Sequence, residues 1–228
     1  MSIDTPLSSP TAPPDPPEQA GAARSAARRP IGRTIAMLVG VPILVLVLGY
    51  VAFSQFKPYI FSGTVLQSPS TAPSMDGLVF GDGSPVDIAA FEGDVVLIYF
   101  GYTHCPDVCP ATLVKAANAR DQLDGDADRV HVMMVSVDPQ RDTPDAVGDY
   151  VGAFDASFLG VTGSREAVDR VTAQYGVFSA RGEELGGGDY AVDHTATLMG
   201  IDTDGHLRIL WPTDVAVDDL SSDLNELL

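Results

Sequence analysis

Apolar residues concentrate first in one long, uncharged run near the start of the chain. Residues 34–53 carry no charged side chain over 20 positions, and at a rise of about 1.5 Å per residue such a helix spans about 30 Å, the thickness of a bilayer core. The run predicts a transmembrane helix, which we assign to residues 31–55. It is longer than the apolar part of a secretory signal and begins later in the chain, so we expect a retained anchor, with a cleaved signal as the alternative.

The next apolar runs are short and unbroken, and a helical pattern separates them. Residues 95–100 (VVLIYF) and 130–137 (VHVMMVSV) are typical of strands that are buried on both faces of a parallel sheet. Residues 111–123 between them favour a helix that is long enough for a crossover. The order strand, helix, strand predicts a parallel βαβ unit.

Capping residues predict two further helices. Thr143, followed by Pro144, opens one helix, and Ser164 opens the next. The apolar run at residues 158–161 lies between them and predicts a short strand. Strand and helix patterns therefore continue to alternate beyond the βαβ unit.

The end of the chain has the pattern of an antiparallel hairpin. Residues 195–201 and 207–211 flank Asp202-Thr203-Asp204-Gly205, a typical hairpin turn sequence, and residues 218–228 favour a final helix. A βαβ unit, a hairpin and a closing helix occur in this order in thioredoxin-like domains. The pattern therefore predicts an α/β, thioredoxin-like domain on a single N-terminal transmembrane helix.

Polar composition marks the segments outside these elements. Proline, serine, alanine and glycine dominate the first 30 residues, and such a composition cannot bury enough apolar surface to fold. Residues 62–74 are rich in serine, threonine and proline. We predict a disordered cytoplasmic tail over residues 1–30, a linker over 56–75 and the thioredoxin-like domain over 76–228.

Basic side chains flank the apolar run unevenly. Only Lys57 closely follows the run, whereas four arginines precede it: Arg24, Arg28, Arg29 and Arg33. Positive charge stays on the cytoplasmic side of a membrane. We therefore expect a single-pass protein of the plasma membrane, with its N-terminus in the cytoplasm and its domain outside.

The exported part is strongly acidic. The chain has a net charge of −18, and residues 58–228, with 8 basic and 28 acidic side chains, carry −20. The charge favours solubility, and attraction of cations or of a basic partner is the alternative. Because no basic face can hold phosphate backbones, the composition argues against nucleic-acid binding.

The chain offers few side chains for thiol or metal chemistry. Two cysteines and four histidines are too few for multi-zinc modules or cysteine-ligated iron–sulfur clusters. Cys105 and Cys109 lie in GYTHCPDVCP, residues 101–110, directly after the first buried strand, where α/β proteins place ligands. A helix that begins at Pro110 would have Cys109 as its cap and would bring both sulfurs to the positive end of the helix dipole, which favours thiolates.

The spacing of the cysteines leaves three functions open. A structural disulfide would close only three intervening residues, so it would remove little entropy from the unfolded chain. Thiol–disulfide oxidoreductases of the thioredoxin type have two residues between their cysteines, whereas this chain has three. The spacing also leaves both sulfurs free to bind a metal, for which Cu(I) is the first candidate and zinc the alternative.

A third metal ligand would normally be an imidazole, and the chain has four. His131 lies in a predicted buried strand and His206 in the predicted hairpin turn, while His104 directly precedes Cys105 in an extended stretch that points its side chain elsewhere. His194 stands at the entrance to the hairpin strand, where a thioredoxin carries a proline. Its position alone leaves it open as a ligand or as an ordinary core or surface histidine.

Three motifs in order resemble a known family. GYTHCPDVCP at residues 101–110, VSVDPQRDTP at 135–144 and VDHT at 192–195, behind an N-terminal membrane anchor, closely resemble the Sco (SenC) copper-chaperone family. The resemblance covers about residues 76–220.

This resemblance implies both a ligand set and a partner. It implies a thioredoxin-like fold that binds one copper ion, Cu(I) or Cu(II), through Cys105, Cys109 and His194. It also implies a role in building the binuclear copper centre of cytochrome c oxidase subunit II. Family members are discussed as copper donors and as thiol reductants of that subunit, so the two cysteines are also a candidate redox pair. Asp138 is implied to lie near the site and to shape partner recognition, although turn formation explains the same motif.

The chain departs from the family in the segment before His194. Residues 181–189 include Gly186, Gly187 and Gly188 and predict a mobile loop, which would bring His194 to copper only when metal or a partner binds.

These observations lead to one main functional hypothesis and two alternatives. We expect a membrane-anchored, extracytoplasmic copper chaperone. The first alternative is a membrane-tethered thiol–disulfide oxidoreductase with incidental copper binding, which leaves enzymatic activity open. The second is a copper or redox sensor that signals through a partner.

Overall fold

The computed structural model describes residues 31–55 and 58–228, which belong to two separate units. In the first unit, one continuous helix, α1, covers Ile31–Gln55. Its window Met37–Ser54 has a mean hydropathy of 2.4, so by length and composition α1 can cross a membrane, as the uncharged run predicts. The disordered tail predicted over residues 1–30 lies outside the described residues.

The second unit, Pro58–Leu228, contains nine strands and four α-helices. The strands are β1 (Thr64–Thr71), β2 (Leu78–Phe80), β3 (Val95–Gly101), β4 (Val130–Ser136), β5 (Leu159–Gly163), β6 (Ser179–Gly186), β7 (Asp189–His194), β8 (Thr197–Ile201) and β9 (His206–Pro212). The helices are α2 (Val108–Asp121), α3 (Pro144–Gly152), α4 (Arg165–Gln174) and α5 (Val217–Leu227), and short 3₁₀ helices cover Ile88–Phe91 and Asp124–Arg129.

Seven of these strands form one mixed sheet in the order β1-β9-β8-β3-β4-β5-β2. Every residue of the central strand β3 is buried, and β3 runs parallel to β4 and antiparallel to β8. Because α2 connects β3 to β4, the predicted βαβ unit is confirmed, and the antiparallel pairing of β8 with β9 confirms the predicted hairpin. The architecture is the thioredoxin-like α/β fold expected from the sequence.

Side-chain caps begin two of the helices where the sequence predicts them. The hydroxyl of Thr143 accepts a hydrogen bond from the N–H of Ala146 at 3.3 Å at the start of α3. The hydroxyl of Ser164 accepts one from the N–H of Ala167 at 3.2 Å at the start of α4. Each cap satisfies one N–H group that the first turn of a helix leaves without a partner.

The segment predicted as a linker, residues 56–75, contains a strand. β1 pairs antiparallel with β9, with a bulge between Val65 and Ser70, so the second unit begins at Pro58 rather than at residue 76. The side chains of β1 are half-buried or exposed without regular alternation, and the strand includes Pro69. An edge strand tolerates this proline, and the sequence lacks the periodic pattern that would have predicted the strand.

A buried carboxylate holds the first residues of this unit against its last helix. Asp223 of α5 is 1% exposed. It accepts hydrogen bonds from the hydroxyl of Tyr59 at 2.7 Å, the N–H and hydroxyl of Ser62, the N–H of Gly63 at 3.2 Å and the indole N–H of Trp211 at 2.7 Å. Burial acts to raise the pKa of Asp223, but these hydrogen bonds outweigh it and the pKa is lowered. Burial and the contact with Asp223 also raise the pKa of Tyr59 to about 12.

Residues 181–189, predicted as a mobile loop, instead lie in a β-hairpin. β6 and β7 pair antiparallel and form a separate two-stranded sheet. Gly186, Gly187 and Gly188 have φ values of +92°, +67° and +90°, a region that glycine adopts without strain, so they build the turn between the strands. The predicted loop was wrong because glycines that signal mobility also permit a tight turn.

Candidate metal centre

Residues 101–110 lie at the carboxyl end of β3, and their two cysteines flank the start of α2. α2 begins at Val108, so Cys109 is its second residue and not its cap. The predicted start at Pro110 was wrong because a proline fits anywhere in the first turn, where its missing N–H breaks no helical hydrogen bond. Cys105 precedes the helix, and its Sγ accepts a hydrogen bond from the N–H of Cys109 at 3.3 Å.

The two thiols differ strongly in acidity. A hydrogen bond from the Cys109 thiol, helped by the N–H groups of Cys109 and Asp107, lowers the pKa of Cys105 to about 5 although burial opposes this. The same contact, together with burial, raises the pKa of Cys109. The contact therefore favours the thiolate on Cys105 and the proton on Cys109.

The sulfur of Cys109 is enclosed by β3. Cys109 is fully buried, and its Sγ accepts a hydrogen bond from the hydroxyl of Tyr99 at 3.5 Å. A Cβ atom at Gly101 would lie 2.7 Å from the Tyr99 ring and 3.1 Å from this sulfur. Glycine at position 101 is therefore needed for the sulfur and the phenol to meet.

His194 lies at the end of β7 with one ring nitrogen bonded and the other free. Nδ1 lies 3.1 Å from the carbonyl oxygen of Val192, and this contact places the proton on Nδ1. Nε2 is buried and has no hydrogen-bond partner among the described residues. The ring packs edge-on against Tyr102 at 5.7 Å and Tyr99 at 6.4 Å between centroids. The lone pair of Nε2 is thus available to a ligand.

Cys105 and His194 line one open cleft of about 310 Å³, whereas the fully buried Cys109 is not among its lining residues. Cys105 and Asp107 lie on one side of it, and Asp193 and His194 lie on the other. The structure thus brings together β3, the start of α2 and the end of β7. It adds two tyrosines, Tyr99 and Tyr102, that sequence analysis did not single out, although both lie within six residues of Cys105.

A closer group of potential metal-ligating side chains lies elsewhere, at the turn between β8 and β9. In the part of the chain that the structure describes, the three His, Cys, Asp or Glu residues whose ligand atoms all lie within 4.8 Å of one another are Asp202, Asp204 and His206. The carboxylate of Asp202 accepts hydrogen bonds from the N–H groups of the other two, so the hairpin turn accounts for this group. The sulfurs of the cysteines and the imidazole of His194 are more widely spaced.

Two other histidines have partners of their own. Nδ1 of His104 lies 3.0 Å from the hydroxyl of Thr103, and Nε2 of His131 lies 3.0 Å from the carboxylate of Asp94. Neither side chain lines the cleft of Cys105 and His194.

The DPQRDTP motif contributes two buried carboxylates. Asp142 is 1% exposed and accepts hydrogen bonds from the N–H and hydroxyl of Thr103 at 3.0 and 2.6 Å, so it holds the loop that leads to the cysteines. Asp138 is also 1% exposed, accepts a hydrogen bond from the hydroxyl of Tyr190 at 2.8 Å and pairs with Arg141. The structure therefore turns Asp138 toward the β6–β7 hairpin and not toward solvent.

The arrangement can support two kinds of chemistry. A thiolate, a thiol and a free imidazole nitrogen suit a soft metal ion such as copper. The same two sulfurs can also form and break a disulfide, because the pKa of Cys105 is lowered and its Sγ lies next to the N–H of Cys109 at the start of α2.

Comparison with known proteins identifies relatives over most of the second unit. The family model described as SCO1/SenC matches residues 76–228. The human mitochondrial protein SCO1 homolog is 42% identical over 117 residues, which cover 50% of this chain and 39% of the human protein. The matches span less than half the length of this and other mitochondrial relatives from cattle and mouse.

Solved structures match the same region. Apo Sco1 from Thermus thermophilus shares 40% identity with a TM-score of 0.66, and the match covers 75% of this chain and 98% of that one. ScoI from Bradyrhizobium japonicum with copper bound shares 32% identity with a TM-score of 0.61, over 73% of this chain and 99% of that one. Both have the fold described above.

Proposed function

The chain belongs to the SCO1/SenC family, and on this basis we propose that it is a copper chaperone for the binuclear copper site of cytochrome c oxidase subunit II. The observation that carries the proposal is the free Nε2 of His194, whose side chain lines the same cleft as the Cys105 thiolate. The copper-bound relative from Bradyrhizobium japonicum supports copper as the cargo.

Cys105, Cys109 and His194 are the ligands in this proposal. The lowered pKa of Cys105 favours its thiolate, whereas the raised pKa of Cys109 favours its thiol, which must give up a proton to bind the metal. The hydrogen bond from Nδ1 to Val192 orients the imidazole and leaves Nε2 to the ion. Two sulfurs satisfy Cu(I), and the added nitrogen suits Cu(II).

Thiol–disulfide exchange with the same subunit is a second candidate function, favoured by the unequal acidity of the two cysteines. The Cys105 thiolate would attack a disulfide of the partner, form a mixed disulfide and release one partner thiolate. Cys109 would then attack the sulfur of Cys105, which releases the second partner thiol. The partner is reduced by two electrons, and the chain is left with a Cys105–Cys109 disulfide.

Replacement of His194 by alanine should weaken Cu(II) binding far more than Cu(I) binding. We expect a loss of at least roughly 100-fold for Cu(II), because even groups that only orient a metal ligand contribute about 10- to 100-fold to affinity. The two sulfurs still hold Cu(I). Chelator competition with the purified full-length chain in detergent measures both affinities, and His131→Ala is the matched control because its imidazole pairs with Asp94 outside the cleft. Equal Cu(II) affinity of His194→Ala and wild type would remove His194 from the ligand set.

The same variant separates the chaperone from the reductase. Subunit II is supplied with its cysteines already reduced, so reductase activity is unnecessary, and formation of its copper centre is followed. Wild type should load the centre faster than free copper does, and His194→Ala should lose much of this advantage. If wild type gives no advantage over free copper, the reductase function should replace the chaperone function.

For localisation, we propose that α1 is a single-pass anchor in the plasma membrane with the N-terminus in the cytoplasm. The length and hydropathy of α1 and the arginines that precede its apolar part support this topology. A reporter fused to the N-terminus should remain cytoplasmic, and one fused to the C-terminus should appear outside on a full-length chain. Recovery of a mature chain that begins near Ser54 would identify a cleaved signal instead.

A further inference from the structure

The hairpin that carries His194 is held to the rest of the unit without strand pairing. β6 and β7 pair with each other, and within residues 58–228 neither pairs with the seven-stranded sheet. Only Thr195 and Ala196 separate His194 from β8, which fixes one end of the hairpin. The direction of β7, and with it the placement of the imidazole, depends on side-chain contacts farther along the strand.

The strongest of these contacts surround Tyr190 of β7. Its hydroxyl donates to the carboxylate of Asp138 at 2.8 Å. The guanidinium groups of Arg141 and Arg181 each lie 3.7 Å from the centroid of its ring, and because two guanidinium groups cannot share one face at this distance, they lie on opposite faces. Arg141 also pairs with Asp138 and with Asp189 of the hairpin. We call Asp138, Arg141, Arg181 and Tyr190 the Tyr190 clamp.

A second line of contacts connects the clamp to the imidazole itself. The guanidinium of Arg141 lies 5.8 Å from the ring centroid of Tyr102, and that ring packs edge-on against His194 at 5.7 Å. Nη2 of Arg141 is buried without a hydrogen-bond partner among the described residues. Stacking of the guanidinium between Tyr102 and Tyr190 therefore helps to place Arg141, in addition to its ion pairs.

We propose that Asp138, Arg141 and Tyr190 are positioning residues for the third copper ligand. They fix the direction of β7 so that His194 lines the cleft of Cys105. Asp138 acts inside the molecule, which agrees with its exposure of 1%. The inference rests on the proposed function, because it concerns His194 as a copper ligand.

Tyr190→Phe tests the proposal because it removes only the hydroxyl and keeps the ring between the two guanidinium groups. Loss of one buried hydrogen bond lowers the population of the correctly placed hairpin, so we expect Cu(II) affinity to fall by roughly fivefold. Cu(I) affinity should stay at the wild-type value, and the nitrogen hyperfine coupling in the Cu(II) EPR spectrum should weaken. Amide hydrogen exchange along β7 should rise several-fold in the copper-free, full-length chain.

Tyr175→Phe is the matched control. The Tyr175 hydroxyl donates to the carbonyl oxygen of Pro73 at 2.8 Å, and its side chain is buried like that of Tyr190. The control loses one buried hydrogen bond that neither β6 nor β7 makes. It should leave both copper affinities and the exchange of β7 unchanged.

Combination with His194→Ala separates the two proposals. Once the imidazole is absent, Tyr190→Phe should have no further effect on Cu(II) affinity. If His194→Ala itself binds Cu(II) like wild type, the ligand set and the clamp proposal both fail. If His194→Ala weakens Cu(II) but Tyr190→Phe changes neither Cu(II) affinity nor exchange of β7, the clamp proposal alone fails. It also fails if Tyr190→Phe weakens Cu(I) and Cu(II) equally, since that result indicates a general loss of stability.

Discussion

Oxidation of the two thiols to a Cys105–Cys109 disulfide should abolish copper binding by the full-length chain. A disulfide sulfur is not a thiolate donor, so oxidation removes two of the three proposed ligands and leaves only the imidazole of His194. After treatment with a thiol oxidant and removal of free metal, the oxidised chain should retain no copper, whereas the reduced chain should retain one ion. Metal analysis under anaerobic conditions measures both values.

Two controls show that the loss comes from the disulfide. Re-reduction of the oxidised chain should restore the copper content. Cys109→Ser cannot form the disulfide. It should bind Cu(I) and Cu(II) weakly both before and after treatment with the oxidant, because one sulfur is missing throughout. A fully oxidised chain that still holds one tightly bound copper ion would refute the two-thiolate site.

Of the substitutions proposed for this chain, Asp223→Ala should cause the largest loss of stability. It leaves the buried indole N–H of Trp211 and the less buried N–H groups of Ser62 and Gly63 without their acceptor, and a buried donor without a partner costs roughly 1–3 kcal/mol. We expect the free energy of unfolding to fall by about 3–5 kcal/mol. Trp211 is the only tryptophan in the chain, so its fluorescence during denaturant unfolding of the detergent-solubilised protein reports the change directly.

Asp219→Ala is the control, because Asp219 is an exposed acidic residue of the same helix. It should change the free energy of unfolding by less than about 0.5 kcal/mol.

The pH dependence of the free energy of unfolding gives a second test of Asp223. Because the folded-state pKa of Asp223 lies below the usual 3.8, its stabilising effect is present above that value and is lost as the pH falls through the lower, folded-state pKa. Asp223→Ala should lack this part of the acid destabilisation, and equal losses in the two variants would contradict the role given to Asp223.

Features with strong local signals could be predicted from the sequence. The unbroken apolar runs identified β3 and β4, because a strand buried on both faces needs apolar side chains at every position. Thr143 and Ser164 identified helix starts because their hydroxyl groups cap N–H groups only three residues away. The cysteine motif itself pointed to the end of β3 where the cleft lies.

Features that depend on distant contacts could not be predicted. β1 has no periodic pattern, and its partner β9 lies at the other end of the chain. Tyr190 meets Asp138 across 52 positions, and neither composition nor spacing marks that pair. The direction of the His194 ring depends on such contacts, so the resemblance to a family suggested the residue while only the fold places it beside Cys105.

The two outer strands of the seven-stranded sheet limit strand pairing between neighbouring molecules. β2 is only three residues long, and β1 is interrupted by Pro69 and a bulge. Short or interrupted outer strands resist pairing with a strand from another molecule, which is a common route to aggregation. Neighbouring copies are therefore hindered from joining their seven-stranded sheets edge to edge.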